Sequence, residues 1–490
     1  MAAAPSSPAE LTRRWMRRFK VPGAVVGVVE RGRAPVLRGY GYRNREARLP
    51  ATPRTMFGLA SVTKSFTAMA ILRLAEDGRL SVGDPIVRHL PEFATPERRA
   101  SRRITIHHFL THTSGLPPLP SIYYTTIRST RDDPPYDPTV ARKVGIDPDH
   151  APIDTYEQIL EYLRTTRYRL LGPPGRFFSY SNEGFGLLGA VIERVSGRTY
   201  ESYLEEAVLR PAGMRSTSFD PGVLFRQPEV TTLYSPRRSG RRHGLVPSET
   251  WWGDTCLRAA GGLRSNVADL SRYLEIYLHG GTVDGERVLR ASSVAQMTRP
   301  YAEVDAGVSY GYGVAVRPNY HGTPLVLHTG GLPGVSSLFA AAPKRGVATV
   351  ILTNVEGVSV GVPLMAALNA RLGLPLNSPL FEPPEAIPTP GSLAEYDGWF
   401  CSGEGIWVRS TDQGDHLRFD FRGIELTFRG LRFRSAGPDR FVSRIGGQTG
   451  QVRFERNPRG QVWALFLGYR LLRRRSSGSL RLARRGQLAW

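Results

Sequence analysis

The sequence predicts a mixed α/β fold of the α+β type, in which a sheet built from distant parts of the chain is followed by an all-β domain. Strand-like runs stand at both ends of a region where helical periodicity prevails, so one sheet must collect strands from both ends. Beyond a proline-rich stretch at 376–392, short alternating runs recur at turn-like spacing, as in an antiparallel barrel or sandwich. At 490 residues, the chain is long enough for two domains.

The elements of the first domain follow from the periodicity of its apolar residues. An amphipathic helix is predicted at 8–19, and two strands follow at 22–30 and 35–43. The next helix, at about 61–76, is apolar almost all round, which indicates burial at the centre of the domain. Further helices are predicted at 155–167, 185–196, 199–209, 266–279 and 362–372, with strands at 311–316, 324–328, 335–341 and 347–353.

We expect the first domain to span residues 1–375, the linker 376–392 and the second domain 393–490. The linker is predicted from its proline content. The arginine-rich run from Arg470 to Arg485 is interpreted as a short basic tail. The strands of the second domain are predicted at 399–401, 406–410, 416–421, 425–428, 441–443, 452–455 and 462–467.

Ser61 and Lys64 stand three positions apart at the start of the predicted buried helix. Residues at this spacing share one helix face, close enough to exchange a proton. Desolvation should lower the pKa of Lys64, so that its neutral amine is available as a base. A serine at a helix N-terminus also has backbone N–H groups near any developing negative charge. The pair therefore predicts a nucleophile, its activator and part of an oxyanion site.

Two further motifs follow along the chain. Tyr180-Ser181-Asn182 lies in a turn that opens a helix, and His328-Thr329-Gly330-Gly331 closes the predicted strand at 324–328. With S-x-x-K, Y-x-N and K/H-x-G in this order, residues 20–373 resemble the serine β-lactamase and penicillin-binding-protein superfamily. The class C β-lactamase-like branch, with its D-aminopeptidases, D-peptidases and esterases, is most similar.

The resemblance implies an antiparallel sheet flanked by helices, a helical subdomain beside it and a catalytic cleft between the two. It also implies that the second domain is a lipocalin-like antiparallel β-barrel. By the same resemblance, Ser61 would attack a carbonyl while Lys64 and Tyr180 share the proton, and the oxyanion would lie between the N–H groups of Ser61 and Gly331. The implied substrate-binding residues are Asn182, His328, Thr329, Gly330 and Gly331.

His328 departs from the lysine that many members of this superfamily carry at the same place. Histidine is mostly neutral at pH 7, so recognition of a substrate carboxylate should be weaker. This favours a peptidase or amidohydrolase acting on a peptide or small-molecule substrate. An esterase, a β-lactamase and a non-catalytic binding module on the same fold are the alternatives. No metal and no organic cofactor are expected.

Two other motifs are alternative candidates for a functional site. His108 and His112 have the i, i+4 spacing of metal ligands, but no third ligand accompanies them, so structural roles are expected. For His112 the expected role is packing. The G-x-S-x-G sequence at 357–361 has a strand before it and a helix after it, as in an α/β-hydrolase. An α/β-hydrolase needs a catalytic histidine after this motif, and His416, in the second predicted domain, is the only histidine that follows it. The interpretation is therefore disfavoured.

The formal net charge of +22 raises the question of polyanion binding. Arginine is scattered along the chain and no nucleic-acid module is recognised, so no specific nucleic-acid partner is expected. No apolar run approaches the ~18 residues of a membrane span. The two cysteines imply no disulfide framework. An export signal would need a cleavage site of small residues after its apolar run, but residues 30–33 are mostly charged instead. A cytoplasmic location is therefore expected, and export is left open.

Two roles remain open from the sequence. The polar insert at 119–153 follows a family loop beside the cleft and is interpreted either as a lid or as a surface excursion. The C-terminal barrel could cap the cleft or mediate assembly of a homo-oligomer.

Overall fold

The computed structural model describes residues 7–130, 138–236, 244–248, 251, 255–305, 307–381, 384–387, 391–423, 427–445 and 448–476. In this part of the chain a large antiparallel sheet is followed by a closed barrel of eight strands. The predicted fold class is therefore confirmed, and of the two predicted all-β architectures the barrel is the correct one. The domain limits at 375 and 393 stay a prediction.

The large sheet collects strands from both ends of the first domain. The strand Gly23–Glu30 pairs antiparallel with Val347–Thr353, with Val26 opposite Ile351. Helices cover both faces of the sheet at this point, which explains why nearly every residue of Gly23–Glu30 is buried. In spatial order the strands are Ala302–Asp305, Val308–Tyr310, Ala315–Tyr320, Thr323–Leu332, Val335–Ala342, Val347–Thr353, Gly23–Glu30, Val36–Asn44 and Leu49–Pro50.

The predicted helices are present with small shifts at their ends, and the described residues also form several short helices that were not predicted. Two predictions need correction: the helix at 199–209 changes to a π-helix over Glu205–Leu209, and the strand placed at 311–316 begins only at Ala315. The α-helices are Pro8–Phe19, Thr63–Glu76, Ile86–His89, Arg98–Ser101, Ile106–Leu110, Ser121–Thr130, Pro138–Lys143, Tyr156–Thr165, Asn182–Ser196, Tyr200–Leu204, Pro221–Arg226, Arg258–Gly261, Val267–Leu278, Ala291–Met297 and Gly361–Leu372.

Short elements complete the first domain. Among the described residues three strand pairs lie outside the large sheet, and 3₁₀ turns stand at Ala60–Val62 and Pro343–Arg345, with a further one at Ala394–Tyr396 before the barrel. The pairs are Phe57–Gly58 with Arg264–Ser265, Leu233–Pro236 with Leu245–Ser248, and Thr282–Val283 with Glu286–Arg287. No helix in the described ranges is long and apolar enough to span a bilayer.

The barrel closes through the run that the sequence analysis interpreted as a tail. Arg470–Arg475 is its last strand and pairs with the first, so that Phe400 lies opposite Arg474. Leu472 is buried inside the barrel, which is why this arginine-rich run forms a strand. The tail prediction is wrong for these residues, and Arg485 lies outside the described ones. The strands are Gly398–Cys401, Trp407–Asp412, Leu417–Arg422, Thr427–Ser435, Arg440–Ile445, Gln448–Arg456, Val462–Leu467 and Arg470–Arg475.

The barrel packs against the insert at 119–153. The indole N–H of Trp407 donates a 2.9 Å hydrogen bond to the carbonyl of Val144, and the Gly403 N–H donates one of 2.9 Å to the carbonyl of Pro118. Apolar side chains of the insert, Val144 and Ile146 among them, are buried. The described part of the insert is therefore a packed segment, and its predicted polar character holds for only part of its length.

Candidate active site

Ser61 lies in the turn Ala60–Val62, directly before the helix Thr63–Glu76. Its side chain is partly exposed, whereas the rest of this helix start is buried. Ala60 has a positive φ of 48°, which is uncommon for a residue with a Cβ atom. Backbone strain of this kind costs about 1–3 kcal/mol and clusters at functional sites. The sequence thus places a reachable hydroxyl at a strained turn before a buried helix.

Lys64 is completely buried and reaches three oxygen atoms. Its Nζ lies 3.1 Å from Ser61 Oγ, 2.8 Å from Asn182 Oδ1 and 2.6 Å from the carbonyl of Ala260. Burial lowers the pKa of Lys64 well below its usual range, and the charge of Arg470 adds to this effect. A neutral amine at this position can accept the hydroxyl proton of Ser61.

Tyr180 completes the group around the Ser61 hydroxyl. Its ring centroid lies 4.7 Å from Lys64 Nζ, and the Ser61 side chain is near enough to lower the pKa of the Tyr180 hydroxyl. Burial raises the pKa of Tyr180, and the Ser61 side chain and the charge of Arg470 only partly oppose this. The two directions make Lys64 the group that gives up its proton more readily and leave Tyr180 as a phenol.

The turn before the helix Asn182–Ser196 holds the second motif in place. Ser181 caps this helix, because its side chain accepts a hydrogen bond from the Gly184 N–H. Glu183 is buried and accepts a 2.7 Å hydrogen bond from Ser181 Oγ and another from Ser121 Oγ. The cap fixes the backbone on either side of Ser181, so that Tyr180 and Asn182 both reach Lys64.

The third motif lies on the strand Thr323–Leu332, next to the nucleophile turn. Along this strand His328 and Gly330 are buried, whereas Thr329 and Gly331 are exposed. A Cβ atom on Gly330 would overlap the carbonyl oxygen of Leu59, whereas one on Gly331 would meet nothing within 4 Å. Glycine at 330 therefore allows the strand to approach the turn. The oxyanion role of the Ser61 and Gly331 N–H groups stays a prediction.

His328 is held by the protein through both ring nitrogens. Nδ1 lies 2.6 Å from the carbonyl of Thr329 and Nε2 lies 2.8 Å from the hydroxyl of Tyr310. Since a carbonyl only accepts, Nδ1 carries the proton and Nε2 accepts from Tyr310. Burial lowers the pKa of His328 to about 3, with the charge of Lys64 adding to it. The side chain is neutral near pH 7, as its residue type predicts.

His112 packs directly on Tyr180, with ring centroids 4.1 Å apart. Its Nδ1 accepts a 3.1 Å hydrogen bond from the Ser181 N–H. His108 bonds to Thr105 at the start of the helix Ile106–Leu110. Both histidines thus have structural contacts, and within the described residues no group of three or more His, Cys, Asp or Glu side chains could hold a metal ion.

Sequence reasoning missed two charged residues that the barrel brings to this site. The guanidinium carbon of Arg470 lies 4.6 Å from the ring centroid of Tyr180. Arg470 is paired with Glu404 through contacts of 2.7 and 3.2 Å, and the two side chains are only 14% and 9% exposed. The apolar signal in this run is limited to the adjacent Leu471 and Leu472, and the density of arginine around them concealed the strand.

The three predicted motifs therefore meet around one serine, on a sheet-and-helix domain joined to a barrel. Residues 9–373 match the family described as Beta-lactamase, and this chain belongs to that family. Ala260 also has a place in the site, because its carbonyl accepts a hydrogen bond from Lys64 Nζ.

Two curated relatives illustrate the range of the family. Protein flp of Staphylococcus aureus (strain COL) is 27% identical over 342 residues, and the match covers 70% of this chain but only 61% of that protein. Esterase EstB of Burkholderia gladioli is 29% identical over 379 residues, which cover 72% of this chain and 91% of the esterase.

Two solved structures are similar over different lengths. The octameric penicillin-binding protein homologue from Pyrococcus abyssi has a TM-score of 0.67 and 28% identity, and the match covers 96% of this chain and 99% of that one. The D-stereospecific amidohydrolase from Streptomyces sp. has a TM-score of 0.56 and 25% identity, covering 71% and 95%. The first similarity therefore includes the barrel, because it extends over almost the whole chain.

Proposed function

We propose that this chain is a serine hydrolase that cleaves amide or ester bonds through an acyl-enzyme on Ser61, with peptides or related amides as its main substrates. The observation that carries the proposal is the 3.1 Å contact between Lys64 Nζ and Ser61 Oγ. Lys64 is buried and its pKa is lowered, so that it can act as a base toward Ser61.

The proposed reaction has two steps. Lys64 takes the Ser61 proton while Oγ forms a bond to the substrate carbonyl carbon, and the resulting oxyanion is stabilised by backbone N–H groups. The proton then passes to the leaving amine or alcohol, by way of Lys64 or the Tyr180 hydroxyl, as the bond to the leaving group breaks. In the second step the oxygen of a water molecule bonds to the acyl carbon and the bond from that carbon to Ser61 Oγ breaks. A proton from the water passes along the same route to Ser61 Oγ.

The substrate class is supported by the third motif and by the relatives. Neutral His328 provides no cation for a carboxylate beside the reacting carbonyl, which favours an amide or ester over a β-lactam. The similarity to a D-stereospecific amidohydrolase agrees with this order. Substrate contacts are assigned to Asn182, Thr329 and Gly331, since Thr329 and Gly331 are exposed on the strand beside Ser61.

Active-site labelling tests the proposal. The full chain is incubated with a fluorophosphonate or a fluorescent penicillin and its intact mass is measured. One adduct is expected, and Ser61→Ala should abolish it without changing the melting temperature. A folded wild-type chain that takes up neither probe would contradict the proposal and would favour a non-catalytic binding module.

An esterase is the second candidate function, because esterase EstB covers 72% of this chain at 29% identity. A chromogenic panel of a D-alanine anilide, a short-chain ester and a cephalosporin separates the candidates. Peptidase or amidohydrolase activity predicts the highest kcat/KM on the anilide. Turnover of the ester alone would establish the second candidate, and turnover of the cephalosporin alone would establish a β-lactamase.

We also propose that the barrel takes part in self-assembly. The similar protein from Pyrococcus abyssi is octameric and matches this chain over its barrel as well. Light scattering coupled to size exclusion should give a mass above the 54.2 kDa of one chain. A monomer at micromolar concentration would contradict this proposal and leave the hydrolase assignment untouched.

A further inference from the structure

The last strand of the barrel reaches the reacting groups of the first domain. The Tyr180 N–H donates a 2.9 Å hydrogen bond to the carbonyl of Tyr469, and the Leu471 N–H donates one of 3.4 Å to Ser179 Oγ. These two bonds stand on either side of Arg470 and fix its backbone. Its guanidinium therefore lies over the Tyr180 ring in a position set by both domains.

Arg470 contributes a permanent positive charge at this position, since arginine does not lose its proton in proteins. A cation over an aromatic ring is attracted to the ring face, and it stabilises a negative charge on the phenol oxygen more strongly. The same cation repels the ammonium form of Lys64. Both effects act in one direction, because each favours the loss of a proton from the Lys64 and Tyr180 pair.

Other titratable and charged groups also surround the Lys64 and Tyr180 pair. The titratable and hydroxyl-bearing neighbours that contact Tyr180 or Lys64 are Ser61, His112, Tyr310, His328 and Tyr469, and the charges of Glu183 and Glu404 also act on Lys64. The two histidines are neutral near pH 7, because burial lowers the pKa of each. Glu183 and Glu404 oppose the effect of Arg470 on Lys64. Arg470 is thus the one permanent cation among these described neighbours.

We propose that Arg470 is a positioning residue supplied by the barrel, and that its guanidinium keeps the Lys64 and Tyr180 pair short of one proton so that the pair can activate Ser61. Glu404 holds the guanidinium in place and reduces its charge effect. This inference rests on the proposed function. It adds that the barrel sets the pH range in which the serine reacts.

Charge variants of opposite sign test the inference. Arg470→Met removes the cation, so the acidic limb of the reaction should move to higher pH by about one unit or more. Glu404→Gln removes the opposing carboxylate with little change of shape, so the limb should move to lower pH. Arg470→Lys keeps the charge and should stay near the wild type. The matched control is Arg474→Met on the same strand, whose arginine bonds to the Val462 carbonyl and should not move the limb.

The first readout is the rate at which a fluorophosphonate labels Ser61 between pH 5 and 10. In this reaction the Ser61 oxygen bonds to phosphorus, fluoride leaves and the serine proton passes to the Lys64 and Tyr180 pair. No knowledge of the natural substrate is needed. Melting temperatures, measured for every variant, identify those that are folded.

The second readout is the titration of Lys64 itself, followed by NMR of protein with ¹³Cε-labelled lysine. The chain contains only four lysines, so Lys64→Arg assigns the signal directly. Arg470→Met should raise the pKa of Lys64 and Glu404→Gln should lower it. This readout needs no probe to react with Ser61, and Glu404→Gln remains informative if Arg470→Met does not fold.

The outcomes separate the inference from the proposed function. Opposite shifts for the two variants support the inference. Labelling of wild type with the same limb in both variants would overturn the inference alone, and so would equal losses of rate at all pH values. A wild-type chain that takes up no label at any pH would overturn the proposed function and the inference that rests on it.

Discussion

Asn182 Oδ1 accepts a 2.8 Å hydrogen bond from Lys64 Nζ, so the second motif holds the base of the first motif. The amide oxygen is a neutral acceptor, and it orients the amine toward Ser61 without stabilising the ammonium form as a carboxylate would. The proton affinity of Lys64 therefore depends on the residue type at position 182 as well as on burial.

Asn182→Asp should slow acylation at neutral pH. A carboxylate beside Lys64 Nζ favours the ammonium form and raises the pKa of Lys64. We expect the labelling rate of Ser61 at pH 7 to fall about 10-fold or more, because an ammonium group cannot accept the serine proton. The rate should recover toward pH 10. Asn182→Leu is the control, because it removes the contact without adding charge, and its loss of rate should not recover. Parallel profiles for the two variants would refute this explanation.

His328 should make the stability of the protein sensitive to acid. Its pKa is about 3 in the folded chain and 6.5 when unperturbed, so the unfolded chain binds the proton first as the pH falls. The stability contributed by neutral His328 is complete above pH 6.5 and is lost progressively toward pH 3. Between pH 7 and 4, wild type should lose about 3 kcal/mol more than His328→Gln in urea unfolding.

The control for this measurement is His321→Gln, at an exposed position in the turn between Ala315–Tyr320 and Thr323–Leu332. Its stability should follow that of the wild type throughout. Equal acid sensitivity of His328→Gln and wild type would show that burial does not keep the His328 ring neutral.

Gly330→Ala should separate the strand from the nucleophile turn. The added Cβ would overlap the Leu59 carbonyl oxygen and the Ser337 hydroxyl, so the strand must move. We expect a loss of about 1–3 kcal/mol in unfolding free energy, as for an overpacked core, and a loss of labelling at Ser61. Gly331→Ala is the matched variant, because its Cβ would meet nothing within 4 Å and should leave stability unchanged. Equal melting temperatures for the two variants would contradict the close approach described for Gly330.

Trp407→Phe should weaken the contact between the barrel and the insert at 119–153. The substitution leaves the buried carbonyl of Val144 without its hydrogen bond, which should cost about 1–3 kcal/mol. If the two domains unfold together, calorimetry should show one transition at a lower temperature. Trp399→Phe, at a partly buried position in the barrel, should have less effect. A separate barrel transition, with the first domain unchanged, would show that the domains unfold independently.

Local sequence patterns did not predict the features that depend on contacts between distant segments of the chain. The helix Thr63–Glu76 and the sheet strands carry their own periodicity, so local patterns predicted them. The meeting of Ser61, Lys64 and Tyr180 followed from motif order and from resemblance to a known superfamily. The final barrel strand was missed, because Arg470–Arg475 shows its buried leucines only once the barrel is closed.

The burial of the insert at 119–153 also depends on contacts between distant segments and was not predicted. Its prolines and charged residues indicated a surface segment, yet Val144 and Ile146 are buried. Burial of such a segment depends on the barrel that covers it, and the local sequence pattern of the segment does not predict this contact. The partnership of His328 with Tyr310 was likewise beyond reach, since the two residues lie on different strands of the sheet.

The hydrogen bond between Tyr180 and Tyr469 also means that the active site can be completed only after the end of the barrel has been synthesised. Ser61 and Lys64 leave the ribosome before the barrel does, and the barrel cannot close until Arg470–Arg475 has emerged and paired with Gly398–Cys401. At ~5–20 residues per second, about 20 to 80 seconds pass between these events. A nascent chain thus carries its nucleophile throughout the synthesis of the roughly 400 residues that follow it, before the surroundings of Tyr180 are complete.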